Sequence, residues 1–190
     1  MEARSGETGK HIVRTGQFVL LLAEQLRQTA AYPDVLTDAY IRRLVDAAPL
    51  HDIGKITVPD SILMKPGKLT PEEFDVMKQH AAAGVDIIHK IMDGIESREY
   101  VAMAKEVAHY HHEKWNGSGY PCGLSGESIP LSARIMAVAD VYDALRSERC
   151  YKEAMDKETA RNIIFESSGS HFDPKVVEAF RACLDQIEAI

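Results

Sequence analysis

Cysteine is scarce in this sequence, and long apolar runs are absent. The three cysteines, Cys122, Cys150 and Cys183, are odd in number and far apart, so neither a disulfide framework nor a zinc-type spacing is indicated. The longest strongly apolar stretch, from Phe18 to Ala23, is far shorter than the roughly 20 residues of a membrane-spanning helix. The N-terminus lacks the apolar core of a signal peptide. These absences predict a reduced, cytoplasmic protein with no membrane insertion in this segment.

Basic residues are also fewer than acidic residues. The chain has 22 Lys and Arg against 29 Asp and Glu, which gives a formal net charge of -7. Broad nucleic-acid binding needs a basic face and is therefore excluded. The acidic balance suits a site that gathers carboxylates around cations. A small phosphate ligand could still bind there, because bound metal ions reverse the local charge.

What the sequence does contain is helical periodicity. Apolar residues such as Ile12, Val13 and Phe18 recur at helical spacing, with no alternating strand pattern and no internal repeat. Thr70 before Pro71 predicts the start of a helix. The Gly- and Pro-rich stretch 113–123 predicts a long irregular loop, which is often functional. The other predicted helices cover 40–48, 98–112, 132–146, 157–166 and 174 to the end, and the one at Pro71 runs to about Met92.

The chain has 190 residues, a length that fits one domain with a substantial buried core. We therefore predict a single all-α domain over residues 1–190, a bundle of about seven helices with an irregular loop. The first residues, Met1–Gly6, read as a cut end or a tag remnant, which suits a piece of a longer protein.

Asp140 lies in an almost wholly apolar helical segment, Ile135 to Tyr142. A buried, unpaired carboxylate is costly, so such a group is normally paired, hydrogen-bonded or bound to a metal. A salt bridge to Arg or Lys is the structural alternative. Asp143, one turn later, is expected to orient a neighbouring ligand or Lys55, with an ion pair to Arg146 as the alternative.

Histidines stand next to carboxylates or loops at several points. His51-Asp52 follows an amphipathic stripe and precedes Gly54, which ends the helix; helix capping is the alternative. His111-His112 borders the Gly-rich loop, with an exposed polar patch as the alternative. His80 faces small residues and by itself is more typical of a buried core histidine.

Glu7 and His11 are four residues apart, so a helix places both on one face; an exposed N-terminal turn is the alternative. Residues from separate helices of an antiparallel bundle can converge on one interior site. Mixed imidazole and carboxylate ligands suit iron, manganese, zinc or nickel rather than calcium. Two ions are readily held, three are compatible, and Asp52 is placed to bridge two of them. The candidate metal ligands are Glu7, His11, His51, Asp52, His80, His111, His112 and Asp140.

Several longer motifs stand in a fixed order along the chain. They are His51-Asp52-Ile53-Gly54-Lys55, Lys65-Pro66-Gly67-Lys68-Leu69-Thr70, His111 to Pro121 with its Gly119-Tyr120-Pro121, Ala139 to Leu145, and Phe172-Asp173-Pro174. This order resembles the HD-GYP domain family, within the HD metal-dependent phosphohydrolases, over nearly the whole chain. The resemblance implies an HD-type helical bundle, cyclic di-GMP phosphodiesterase activity and a centre of two or three divalent ions, most often iron. Glu7 and His11 resemble the extra ligands of members with three ions.

The resemblance also implies roles for residues around the ions. Asp52 and Lys55 are the catalytic candidates, and Lys55 resembles the lysine near the scissile phosphate. Tyr120 resembles a residue of the substrate pocket, and Arg149 and Lys152 resemble the family's phosphate contacts. Trp115 or Tyr120 could stack a guanine. For Trp115 the alternative is a loop anchor packed on the core.

The predicted reaction is hydrolysis of cyclic di-GMP to linear pGpG, with GMP as a further product, by metal-activated water. Two alternatives stay open: a catalytically weak module that senses cyclic di-GMP or docks a partner, and a phosphodiesterase for cyclic GMP-AMP. Arg146 stands where Thr is usual in the family, and Cys150 where Pro usually follows the arginine, so nucleotide preference is open. An upstream receiver or sensor domain and a homodimer are both compatible with the family.

Overall fold

Every named element of the described chain is helical. The computed structural model describes residues 9–147 and 154–190, where the β features are isolated bridges between Asn116 and Ser125 and between Ser168 and Phe172. The predicted all-α class is therefore confirmed. No helix within these two ranges has the length and apolar character needed to cross a bilayer. The α-helices are α1 (Gly9–Gln28), α2 (Asp38–Ala47), α3 (Asp60–Leu63), α4 (Pro71–Lys78), α5 (His80–Ile91), α6 (Arg98–Tyr110), α7 (Leu131–Arg146), α8 (Lys157–Glu166), α9 (Pro174–Ala182) and α10 (Leu184–Glu188), with 3₁₀ segments at Ala48–Leu50, Ile53–Thr57 and Gly126–Ser128.

Helix α7 forms the centre of the bundle because it is apolar on nearly all sides. Every residue from Leu131 to Ala139 is buried, and α1, α6, α8 and α9 pack around this helix. Helix α1 contributes Phe18, Val19 and Leu22 to the same core. Asp140 follows directly after the most buried part of α7, so the fold places this carboxylate inside the protein.

The buried face of α1 differs from the predicted apolar stripe. Val13, which the periodicity placed on that stripe, is 60% exposed. His11 and Thr15 are buried in its place, and the Thr15 hydroxyl donates to the His11 carbonyl at 2.9 Å. The face is set by the 3.6-residue period counted from Phe18, and the polar His11 lies on it because its ring reaches the interior site.

The helix predicted from Pro71 to about Met92 is divided into α4 and α5. Its start is as predicted, since Thr70 and Glu73 form a reciprocal capping box. The division comes at Gln79, whose N–H donates to the Val76 carbonyl three residues back instead of the one four back. The break makes His80 the first residue of α5. The last predicted helix is likewise divided, at Cys183.

The backbone around Gly54 packs directly against α5. Helix α2 ends at Ala47, so the His51-Asp52 pair lies in a turn between two 3₁₀ segments and not in a helix as predicted. A Cβ at Gly54 would lie 1.9 Å from the His80 carbonyl oxygen and 2.6 Å from the Gly84 nitrogen. Only glycine permits this approach, which brings the His51-Asp52 turn next to the start of α5.

The packing at Gly54 predicts opposite effects of two alanine substitutions. Gly54→Ala is expected to lower the free energy of unfolding by about 1–3 kcal/mol, because the new methyl group must push α5 away. Gly16→Ala is the control: it lies within α1, and its added Cβ would meet no described heavy atom within 4 Å. This control should raise the free energy of unfolding by roughly 0.5–1 kcal/mol. Urea denaturation of both metal-free variants measures the difference, and equal effects would contradict the packing.

Candidate metal centre

Helix ends and turns bring the candidate ligands to one place in the interior. His51 and Asp52 come from the turn after α2, and His80 begins α5. His111 and His112 directly follow the last turn of α6. The remaining two described candidates are His11 in α1 and Asp140 in α7. Of the predicted ligands, Glu7 lies outside the described residues.

One group of ligands consists of Asp52, His80, His111 and His112. Each offers one donor atom, and these atoms all lie within 4.8 Å of one another. The Asp52 Oδ1 atom is 3.3 Å from His80 Nε2 and 3.5 Å from His111 Nε2. The His112 ring centre lies 5.0 Å from that of His80. Such spacings suit donors that share one cation.

A second group consists of His11, His51 and Asp140, whose donor atoms also lie within 4.8 Å of one another. Asp140 Oδ1 is 3.6 Å from His51 Nε2 and 3.9 Å from His11 Nε2. The other carboxylate oxygen of Asp52, Oδ2, lies 3.3 Å from His51 Nε2. Asp52 therefore presents one oxygen to each group, which is the geometry of a carboxylate that can bridge two ions.

The imidazole rings are oriented by contacts of Nδ1, the ring nitrogen that faces away from the centre. In three of them Nδ1 contacts a backbone carbonyl oxygen, and because a carbonyl only accepts, Nδ1 must carry the proton. When the ring is neutral, the lone pair is on Nε2, which faces the centre, as in histidines that bind metals. The contacts are His51 Nδ1 to Ala48 O at 2.8 Å, His80 Nδ1 to Met77 O at 2.6 Å and His111 Nδ1 to Val107 O at 2.9 Å.

His11 is oriented by a side chain instead. Its Nδ1 atom lies 2.6 Å from Asp143 Oδ2, and Arg14 Nε donates to the other oxygen of that carboxylate at 2.5 Å. Burial raises the pKa of the Asp143 carboxyl, but His11 and Arg14 outweigh this and hold it below its usual range. Asp143 thus takes the expected orienting role, toward His11, and its ion-pair partner is Arg14 and not Arg146.

Several inward-facing atoms lack a hydrogen-bond partner among the described residues. Buried acceptors left unsatisfied cost about 1–3 kcal/mol each, so native structures rarely collect them in one place. A divalent cation is a partner that can satisfy several nitrogen and oxygen donors at once, and this donor set therefore fits metal ions. The buried atoms without a hydrogen-bond partner among the described residues include His11 Nε2, His51 Nε2, Asp52 Oδ1, His80 Nε2 and His111 Nε2.

Charges in the centre favour metal binding. Burial lowers the pKa of His111 and holds that of His112 well below its ordinary value, so both rings are neutral. Burial raises the pKa of Asp52, but Lys55, whose Nζ is 2.5 Å from Oδ2, and His51 hold it well below its usual range. Burial also raises the pKa of Asp140, but His51 outweighs this and the pKa is lowered. Burial lowers the pKa of His51 itself, but Asp52 and Asp140 outweigh this and hold it well above its ordinary value, so a metal ion binding there would displace a proton. Neutral imidazoles and ionised carboxylates are the protonation states that bind metals.

The loop after α6 is held by a residue whose role the sequence reasoning missed. Glu113 is 2% exposed, and its carboxylate accepts from the Cys122 N–H at 2.7 Å and the Leu124 N–H at 3.0 Å. A buried acid next to a loop with many unpaired N–H groups is a signal that could have found it. The Arg134 guanidinium lies over Trp115, 5.8 Å from its ring centre.

Tyr120 lines the centre on the loop side. Its ring centre lies 4.7 Å from that of His112 and 6.4 Å from that of His80. Burial, and next the charge of Asp52, raise the pKa of its phenol, which therefore keeps its proton. The predicted phosphate contacts Arg149 and Lys152 lie outside the described residues.

Fold and site together define a helical protein with a candidate polynuclear metal centre. The family model described as HD domain matches residues 9–176. The chain belongs to the HD domain family, as its motifs indicated.

Similar proteins include enzymes for two cyclic dinucleotides. A cyclic di-GMP phosphodiesterase of Vibrio cholerae is 53% identical over 189 residues, covering 100% of this chain and 38% of that protein. The 3'3'-cGAMP-specific phosphodiesterase 2 of the same organism is 43% identical over 190 residues, 100% of this chain and 34% of that protein. A solved HDG"Y"P protein of Bdellovibrio bacteriovorus has the same fold, with a TM-score of 0.61 at 21% identity, over 90% of this chain and 51% of that one. The chain spans well under half the length of these curated relatives.

Removal of one imidazole should reduce metal binding. We expect His80→Ala to lose at least one equivalent of Mn²⁺ relative to the wild type, because His80 Nε2 is one of the unpaired donors. The stabilisation of the fold by added Mn²⁺ should shrink in parallel. His89→Ala, which changes an exposed histidine on the same helix, is the control. Metal analysis and melting curves with and without Mn²⁺ measure both effects, and full metal occupancy in His80→Ala would refute the assignment.

Proposed function

We propose that this chain is a metal-dependent phosphodiesterase that hydrolyses cyclic di-GMP to linear pGpG, and further to GMP. The observation that carries the proposal is the position of Asp52 between two groups of unpaired imidazole donors, with the Lys55 ammonium on one of its oxygens. The 53% identity to a named cyclic di-GMP phosphodiesterase over the full length of this chain supports the same substrate.

The two groups of ligands would hold two divalent ions, with Asp52 between them. When three ions bind, Glu7 is proposed as an extra ligand together with His11, which already belongs to the second group. Iron is the proposed native metal, with manganese, nickel or zinc able to occupy the same donors. Bound ions supply positive charge that neutralises the scissile phosphate and acidifies water near neutral pH.

Lys55 is the group proposed to act on the reacting phosphate. Its side chain is 16% exposed, so its charge acts in a poorly solvated environment, where a hydrogen bond to a developing anion is strengthened. The Tyr120 phenol keeps its proton and can donate to a phosphate oxygen on the loop side. Arg149 and Lys152 are proposed to hold further phosphate oxygens.

Cyclic GMP-AMP is a second candidate substrate. A relative named for this dinucleotide is 43% identical over the whole chain. The two dinucleotides differ in one base, so the same ions and Lys55 would serve both. Nucleotide preference must then come from contacts with the bases. An upstream sensor or receiver domain, a homodimer and a cytoplasmic location stay predictions.

Loss of the bridging carboxylate should abolish turnover. We expect Asp52→Ala to lower the rate of pGpG formation by more than about 100-fold, because even the outer partners of metal ligands cost 10–100-fold when removed. Asp86→Ala, which changes an exposed acid of α5, should retain wild-type activity. The assay is chromatography of products after incubation of cyclic di-GMP with Mn²⁺ or, without air, Fe²⁺.

The same assay separates the alternatives. Binding of cyclic di-GMP by the wild type without any pGpG would favour the sensor module over the enzyme. Faster cleavage of cyclic GMP-AMP than of cyclic di-GMP would assign the second substrate. Retained turnover in Asp52→Ala would exclude this centre as the site of reaction.

A further inference from the structure

Phe74 is a large apolar residue that is exposed close to the candidate metal centre. It lies on α4, where every side chain is at least partly exposed, and its own exposure is 44%. Its ring centre is 5.9 Å from that of Tyr120, with the two planes nearly perpendicular at 87°. Single exposed apolar residues are common on protein surfaces, and what distinguishes Phe74 is its contact with Tyr120 at the edge of the site.

Three aromatic rings lead from the metal ligands to the surface. Tyr120 lies over His112 at 4.7 Å, and Phe74 follows Tyr120 at 5.9 Å. His112 belongs to the ligand group, next to which the proposed function places the scissile phosphate. Phe74 is the outer end of this series, and a base lies at a distance from the phosphate to which its ribose is joined.

The centre itself offers little to a nucleobase. Its atoms are imidazole nitrogens, carboxylate oxygens and the Lys55 ammonium, which interact with phosphates and cations. The apolar faces of the bases therefore need a contact elsewhere. The edge-to-face contact with Tyr120 leaves Phe74 partly exposed, and an exposed aromatic face is the group on which bases stack in single-stranded nucleic-acid sites.

The surroundings of Phe74 hold its ring in place. The Lys78 ammonium lies 5.4 Å from its ring centre and is ion-paired with Asp75 at 2.6 Å. The preceding loop is tied to α4 because Lys65 Nζ donates to Glu73 at 2.5 Å. The capping box at Thr70 fixes the first turn of the helix just before Phe74. The ring is therefore held on a defined support even though α4 is not part of the core.

We propose that Phe74 is a stacking platform for one nucleobase of the cyclic dinucleotide, a role that rests on the proposed function. Stacking tolerates any base, because every base has a π face. Phe74 then contributes affinity for cyclic di-GMP and cyclic GMP-AMP alike, and does not discriminate between them.

The test measures binding separately from turnover. The probe is a non-hydrolysable phosphorothioate analogue of cyclic di-GMP, titrated calorimetrically into Mn²⁺-loaded protein. Phe74→Ala is expected to raise the Kd about tenfold, and Phe74→Trp to restore it, because stacking on an aromatic ring is what alanine removes. Ile95→Ala is the matched control, since Ile95 is also 44% exposed but lies between α5 and α6.

A substrate without a base distinguishes stacking from a structural role. The KM for methyl p-nitrophenyl phosphate should change far less in Phe74→Ala than the Kd of the analogue does. Equal Kd values for wild type and Phe74→Ala would overturn the proposal. An equal change in the Kd of the analogue and in the KM for methyl p-nitrophenyl phosphate would also overturn it, as would failure of Phe74→Trp to restore binding. If the wild type binds the analogue but cleaves no cyclic dinucleotide, the proposed function fails, and the Kd of Phe74→Ala still decides the role of Phe74.

Discussion

The Asp52 carboxylate, with one oxygen toward each of two imidazole groups, is the contact on which the rest of the site depends. An ionised group that is only 5% exposed is costly to bury, and its neighbours must compensate for the lost hydration. Lys55 does so in part, three residues along the chain. In the metal-free protein His51 contributes as well, because Asp52 and Asp140 hold its pKa well above the ordinary value, and bound cations would supply the remaining compensation.

The fold supplies this arrangement largely through local backbone geometry. His51, His80 and His111 each bond the carbonyl of a residue three or four positions earlier, so a single helical turn sets the direction of each ring. His11 is the exception, because its ring depends on Asp143 of another helix. The second ligand group therefore depends on the packing of α1 against α7, whereas the first depends on the close approach at Gly54 and on the packing of α6 against α5.

The sequence was sufficient to predict the helical class, the loop and the candidate residues, because each is visible in the types and spacing of neighbouring residues. Periodicity reveals helices, and Thr70 with Pro71 reveals a helix start. The break at Gln79 was missed because nothing in the residue types there forbids a helix. The approach at Gly54 was missed because it depends on His80 and Gly84, which are distant in the chain. The anchoring role of Glu113 was missed because periodicity does not describe how a side chain meets the backbone of an irregular loop.

The net charge of the chain bears on which groups could attract the phosphates and which could distinguish the bases. With a net charge of -7 and ionised carboxylates in the centre, the protein alone would repel a dinucleotide that carries two phosphates. In the proposed function, attraction for the phosphates would come from the bound ions and Lys55, and it would be the same for every cyclic dinucleotide. Stacking on Phe74 would add affinity but is also tolerant of the base. A choice between guanine and adenine therefore requires hydrogen bonds to the base edges, and the ions and aromatic rings described above do not supply them.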